Sequence, residues 1–404
     1  MKSIYIAPFL LALCLLASCS SGDDEPEVIV PQDATLTLSV APGSVLTKSS
    51  PRATTAVETL AGEAKINNIC AALFKEDGSL LTSSYVDYSL EAGGSKTPDT
   101  IRISAKSITN YTYVILVNVG NKSFSTLDKL KEETFALQDI RVNNQPMCSQ
   151  FRKVELKPGA NYIGSKEVFT EASEEEFISK ESIKVYRTAS RIDFEKIGVK
   201  WSDSDATDLK KANARFLLKR VYATQVKSHT YLTDRELNGN NYSVELKDGT
   251  SGLAYLHGRE LGTTGYLETL NLFDSVDKTG VDAISNGSTI ESKDIGGKPW
   301  RCYVTENTES GLTLPTTLIL KGDILPETGE DPILKDRYFF VRLQGLLDDK
   351  GKEFVGIIRN YVIRISATIT GKGSSDEEYR ENASAIVTVI PDEWSVEYQH
   401  ENVN

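Results

Sequence analysis

Ala34-Thr35-Leu36-Thr37-Leu38-Ser39-Val40 is the stretch whose reading decides the fold. Leu36, Leu38 and Val40 fall on one side of an extended chain, and Thr35, Thr37 and Ser39 fall on the other. That is the period of a half-buried strand. The strand stands alone in its neighbourhood. Residues 20–33 before it are polar and punctuated by proline, and residues 41–56 after it carry the Pro, Gly, Ser and Thr that break regular structure. Those later residues read as an exposed loop with Lys48 and Arg52 near its tip, the kind of site at which proteolysis concentrates.

Upstream, Lys2 precedes an apolar run, Ile4–Leu16, which is too short to span a bilayer comfortably as a helix and reads as a secretion signal. The run ends in Leu16-Ala17-Ser18-Cys19, which resembles a bacterial lipobox. Residues 1–18 are therefore expected to leave as a signal peptide, and Cys19 to carry a lipid. Of five cysteines, Cys14 departs with the signal, and Cys70, Cys148 and Cys302 remain, odd in number and far apart. Without a CxxC pair they suggest neither a disulfide framework nor a zinc site. Cys70 sits in the strand-like Ile69–Phe74 and reads as a small core residue.

Downstream, strand signals recur. Ile66–Phe74 leads to a turn at Lys75–Ser79. Tyr111–Val119 is a near-continuous β-branched and aromatic run, as in a central strand buried on both faces. Ser123–Glu133 is mildly helical, with Leu127 and Leu130 on one face. Shorter candidates follow at Asn161–Ile163, Ile183–Arg187, Ser190–Phe194 and Phe216–Tyr222. Further runs lie at Cys302–Thr305, Thr316–Leu320, Tyr338–Leu343, Tyr361–Ile369 and Ala385–Ile390. Residues 229–298 are polar and loop-heavy, with few core candidates. Many short strands with few helices predict β-sandwiches, and a chain of 404 residues predicts two of them. The boundary is expected near 182: propeptide 19–52, first sandwich 53–182, second sandwich 183–404.

A net charge of −12 argues against a nucleic-acid partner, which needs a basic face. Enzyme signatures are absent. His229, His257 and His400 have no second ligand candidate nearby, and neither HExxH nor GxSxG occurs, so no catalytic residue, metal or cofactor is expected. Thr370-Gly371-Lys372-Gly373-Ser374 has half of a phosphate loop and reads as a turn after a strong strand. Asp203, Asp205 and Asp208 lack the glycine and terminal glutamate of an EF-hand, and read as N-caps of a helix over 206–214. Lys321-Gly322-Asp323 reads as a turn. The tail from Trp394 to Asn404 alternates again: Trp394, Val396 and Tyr398 oppose Ser395, Glu397 and Gln399. It is either an edge strand or frayed end of the second sandwich, or a strand offered to a neighbouring molecule.

Several segments in order are similar to the fimbrillins of Bacteroidales-type bacteria, the lipoprotein-precursor pilins of surface fimbriae. They are the lipobox, Ala64–Phe74, Val114–Asn118, Gln145–Met147, Tyr186–Asp193, Tyr303–Thr308, Ile358–Arg364, Ile369–Gly373 and the terminal strand with Trp394. The polar middle of the second half matches least. The resemblance implies an all-β chain of two tandem transthyretin-like sandwiches with a few short helices, and no enzymatic activity. It implies lipidation at Cys19 in an outer-membrane precursor, and cleavage between Arg52 and Ala53 by a trypsin-like or arginine-specific protease, with Lys48 as the competing site. It further implies that the strand carrying Leu36, Leu38 and Val40 leaves, and that a neighbour's Trp394, Val396 and Tyr398 replace it. The product would be a linear polymer of this chain with accessory fimbrial subunits. The alternatives are an accessory or anchor subunit, and a monomeric surface glycan-binding lipoprotein displaying aromatics such as Trp201 and Trp300.

Overall fold

The computed structural model describes residues 30–42, 60, 62–88, 100–107, 110–233, 255–275, 282–295, 297, 299–308, 314–348, 351–354, 356–377 and 385–393. Cys19, Lys48, Arg52, Ala53, Trp394, Val396 and Tyr398 lie outside these residues, so the expectations placed on them do too.

The opening stretch is strand β1 (Asp33–Pro42). The chain continues through β2 (Asn68–Phe74), β3 (Leu80–Asp87), β4 (Thr100–Lys106), β5 (Asn110–Val117) and helix α1 (Leu127–Glu132). It then forms β6 (Thr134–Ala136), β7 (Met147–Ser149), β8 (Arg152–Glu155), β9 (Gly159–Ile163), β10 (Phe177–Ser179) and β11 (Ile183–Arg187). These strands make two facing layers. One runs β10-β9-β1-β4, and the other runs β11-β7-β5-β2-β3 with β8 also on β5. Between them lies an apolar core containing Leu36, Leu38, Ile69, Leu73, Ile103, Ile115 and Val185.

Strand β5 is apolar on both sides for a structural reason. Its second face packs under α1, where Val114 and Leu116 meet Phe124 and Leu130. The helix itself starts where Thr126 Oγ1 accepts the Lys129 N–H at 3.2 Å. The mildly helical reading of Ser123–Glu133 thus corresponds to a short real helix.

The second half contains β12 (Ala189–Val199), helix α2 (Thr207–Lys211), β13 (Arg215–Thr224), β14 (Val226–Lys227), β15 (His229–Tyr231) and β16 (Tyr255–Leu256). It goes on with β17 (Asn271–Asp274), β18 (Thr289–Glu291), β19 (Trp300–Thr305), β20 (Thr317–Leu325) and β21 (Leu334–Arg342). The small pair β22 (Leu346–Leu347) and β23 (Glu353–Phe354) precedes β24 (Tyr361–Ile369) and β25 (Ala385–Glu393). One layer is β18-β12-β24-β25 with β19 also on β12, and the other is β17-β13-β20-β21. Their shared core is aromatic. Trp300 stacks on Phe273 at 4.4 Å and on Phe194 at 5.8 Å, and Phe216 meets Phe339 edge-on. The chain is all-β with two short helices among the described residues.

Several local expectations need correction. Ile183–Arg187 hydrogen-bonds to β1 and β7, so the change of sheet falls at Thr188 and not at 182. Lys321-Gly322-Asp323 lies inside β20, not in a turn. A side chain at Gly322 would run into the Leu217 carbonyl and the Phe216 ring, so glycine serves close strand contact there. Helix α2 begins at Ala206 without a side-chain cap. Asp203 pairs with Lys210 at 2.7 Å and Asp208 with Lys372 at 2.8 Å, so these acids find lysines before backbone amides. The polar 229–298 region also holds more core than its composition suggested: Leu256, Leu270, Leu272, Phe273 and Ile284 are all buried in it.

The two sandwiches are joined by more than the peptide at Thr188. Strand β6 pairs with β15, and Leu232 enters the N-terminal cluster under α1. Arg359, at the turn into β24, holds β15 through Thr230 Oγ1 at 3.0 Å and the Tyr231 carbonyl at 2.7 Å, and reaches Cys148 Sγ of β7 at 3.9 Å.

Candidate functional site

The groove around β1 is built from the alternation of its residues. Leu36, Leu38 and Val40 turn into the core with 0%, 0% and 1% exposure. Removing these side chains from water is worth roughly 1.5–3 kcal/mol each. Both backbone edges of β1 are occupied. On one side it runs antiparallel to β4, from Asp33 opposite Lys106 to Ser39 opposite Thr100. On the other it runs parallel to β9, from Ala34 opposite Gly159 to Leu38 opposite Ile163. Past Ser39 it crosses to the other layer and pairs with β11, Val40 opposite Ile183 to Pro42 opposite Val185. Among the described strands, β1 alone hydrogen-bonds into both layers. Without it, β4 and β9 would face each other across an open slot, each with an unpaired edge.

The crossover at Ser39 is tight. Its hydroxyl lies 2.9 Å from the Ser182 hydroxyl, and the residue is 2% exposed. A Cβ placed on Gly164 would stand 2.5 Å from the Ser39 Cβ and 2.7 Å from the Phe169 ring, so only glycine allows this approach. Phe169 is held in turn by Tyr162 and Phe177, with ring centroids 5.0 and 6.4 Å away.

The chain that resumes after the 43–59 segment is anchored elsewhere. The Glu63 carboxylate, fully buried, accepts from Arg191 Nη1 at 2.9 and 2.7 Å and from the Tyr303 hydroxyl at 2.7 Å. Arg191 also donates to Asp193 at 2.9 and 2.8 Å, and Arg301 reaches Asp193 at 3.2 Å. Burial opposes the charge on Arg191, but Asp193 and Glu63 outweigh it and hold the guanidinium above its ordinary pKa. Arg187, which donates to the Glu63 carbonyl, has its pKa pushed down to about 10 by burial, with Glu63 and Tyr303 opposing. All of these partners of Glu63 come from β11, β12 and β19. Thus β1 is fastened to the N-terminal layers, whereas the Glu63 carboxylate is fastened to Arg191 and Tyr303 of the C-terminal sandwich. Sequence reading missed this network because its members are scattered between residues 63 and 303, without a motif.

At the other end, β25 is the edge of its sheet. It pairs with β24 from Ala385 opposite Ile369 to Glu393 opposite Tyr361, and carries Pro391, tolerated where a ladder donor is not needed. Ile386 is 65% exposed. The Trp394–Asn404 tail continues from this edge. The tryptophans considered for a glycan platform are core residues: Trp201 is 2% exposed with its indole N–H on the Ala214 carbonyl, and Trp300 is 3% exposed. Among the described residues no acidic, cysteine and histidine group could hold a metal ion, and no helix is long and apolar enough to cross a membrane. Cys70, Cys148 and Cys302 are buried, and no disulfide joins them.

Comparison with known proteins is consistent with this arrangement. Residues 34–220, beginning at β1, match the family model for the major fimbrial subunit protein FimA. A Parabacteroides distasonis protein named as fimbrium tip subunit Fim1C is 26% identical over 264 residues, covering 60% of this chain and 67% of that protein. A cell adhesion protein structure from the same organism superposes with a TM-score of 0.65 at 19% identity, covering 91% of this chain and 98% of the other. The fimbrilin FimA of Porphyromonas gingivalis superposes with a TM-score of 0.60 at 18% identity, covering 91% and 99%. These two structural likenesses concern the fold.

Proposed function

We propose that this chain, a member of the fimbrillin family, is a structural subunit of a cell-surface fimbrium that polymerises when β1 is cut loose and replaced. The observation that carries this reading is the position of β1. It is central and fully buried on its inner side, yet it joins the next described residue, Leu60, only through the 43–59 segment. A cut between Arg52 and Ala53, or at Lys48, would sever β1 from the protein and leave Glu63 held by Arg191. The lipid on Cys19 would leave with it, so one cleavage would release the precursor from the outer membrane and open the groove.

A slot flanked by unpaired edges of β4 and β9 would take up a strand from another copy. Trp394, Val396 and Tyr398 alternate as such a strand must, and the tail follows β25, the last strand in the order of its sheet. Head-to-tail donation does not close on itself unless its rotation makes a ring, so a filament follows. The role is structural and non-enzymatic. Its partners are further copies, accessory fimbrial subunits and the maturation protease, and an acidic chain is unsuited to nucleic acid.

A shaft position is supported by the major-subunit family match and by the presence of the tail. The relative named as a tip subunit favours a second reading, in which the chain caps the filament. Treating the precursor with trypsin and imaging the product by electron microscopy tests the choice. Filaments of the chain alone, abolished by deletion of residues 394–404, support the shaft. A cleaved protein that stays monomeric alone, but joins filaments of another subunit, supports the tip. Cleaved protein that does neither contradicts both.

A further inference from the structure

The seat around Ser39 limits which strand can fill the groove, and in which direction. Gly164 lies so close that its own Cβ would clash with that of Ser39, the Phe169 ring closes the same side, and the Ser182 hydroxyl touches the Ser39 hydroxyl. Whatever replaces β1 must present a small residue here, flanked by two residues pointing into the core. In the tail, Ser395 is the smallest residue between 394 and 404, and Trp394 and Val396 flank it with the required alternation.

We propose that this seat sets the register of the incoming strand of a second copy, with Ser395 in the place of Ser39 and the chain running opposite to β1. The inference rests on the strand-exchange reading above. Two directions satisfy the seat. Running with β1, Trp394 and Val396 would take the places of Leu38 and Val40, and Asp392 would fall at the apolar Leu36 position. Asp392 is already buried, bonded to Arg364 at 2.5 Å within its own sheet. That direction would strip β25 from β24 and place a carboxylate in the core, which is costly without a partner. Running opposite, Trp394 takes the Val40 place, Val396 the Leu38 place and Tyr398 the Leu36 place. Glu397 and Gln399 then fall on the outer side at the Thr37 and Thr35 positions. All three apolar positions are filled, and β25 stays paired.

Cysteine pairs in the full chain test register and direction together. In trypsin-grown filaments run on non-reducing gels, S182C/S395C should give a ladder of covalent oligomers, because the Ser39 and Ser182 hydroxyls touch. S104C/Q399C should also ladder, because Thr35 lies opposite Ser104. Ser395→Leu should melt like the wild-type precursor and, after cleavage, lose at least tenfold in filament yield, while Gln399→Leu keeps it. A ladder from S182C/S395C without one from S104C/Q399C overturns the direction. Cysteine-pair variants that form filaments at wild-type yield with neither ladder overturn the register, and undiminished filaments from Ser395→Leu overturn the size selection. Filaments that survive deletion of 394–404 overturn strand exchange by the tail, and this inference with it.

Discussion

In the C-terminal sandwich the central strand β12 lies between β24 on one side and β18 and β19 on the other, and it runs straight on from β11 through Thr188. In the N-terminal sandwich the strand bonded along both edges in this way is β1, the first described strand, which also crosses from one layer to the other. Both strands are fully buried on their inner sides and bonded along both edges. Packing does not distinguish them. Connectivity does: β12 cannot leave without unfolding its neighbours, whereas one cut in the 43–59 segment turns β1 into a separate peptide held by non-covalent contacts alone. A sheet built this way suits the strand exchange proposed above.

The contrast can be broken in several ways, taken from the largest effect downward. Deleting residues 33–42 removes Leu36, Leu38 and Val40, a loss on the order of 5–9 kcal/mol against a typical domain stability of about 5–15. The N-terminal layers should then fail to protect their amides in hydrogen exchange, with β12 and β24 still protected. Equal loss in both halves would show that the sandwiches fold as one unit.

Glu63→Ala leaves Arg191 short of one of its two carboxylate partners in a buried site, and should lower stability by about 3–5 kcal/mol in urea titration. A change below 1 kcal/mol would mean that Asp193 alone satisfies Arg191. Gly164→Val should cost about 1–3 kcal/mol through overpacking against Ser39, and Ser39→Gly in the same chain should return part of it. Absence of any coupling between the two positions would remove the tight seat from the account. Ile386→Ser on the exposed edge of β25 should stay within about 0.5 kcal/mol of wild type, because the side chain is 65% exposed.

Much of the architecture could be read from local pattern. Strict alternation marks β1, and the near-continuous β-branched and aromatic run Tyr111–Val119 marks β5 as covered on both faces. Both signals are periodicities imposed by what each face touches. What stayed hidden depends on non-local pairing. Nothing in Ile183–Arg187 says that it joins the earlier sheet, because its partners Ser149 and Val40 are distant in sequence. The composition of Lys321-Gly322-Asp323 suggests a turn, yet its glycine answers to the Phe216 ring across a strand pair. The Glu63–Arg191–Asp193 network was invisible for the same reason. Within the groove, the inward residues of β1 were legible, but the restriction at Ser39 was not, since it arises from Gly164 meeting it in space.

The central claim is that β1 is a removable strand, and native mass spectrometry of the trypsin-treated precursor tests it most directly. The account predicts that the released peptide containing residues 33–42 stays with the monomer at first and is absent from every assembled oligomer, whose subunits begin at Ala53 or, for a cut at Lys48, at Ser49. Oligomers that retain one copy of that peptide per subunit would contradict it.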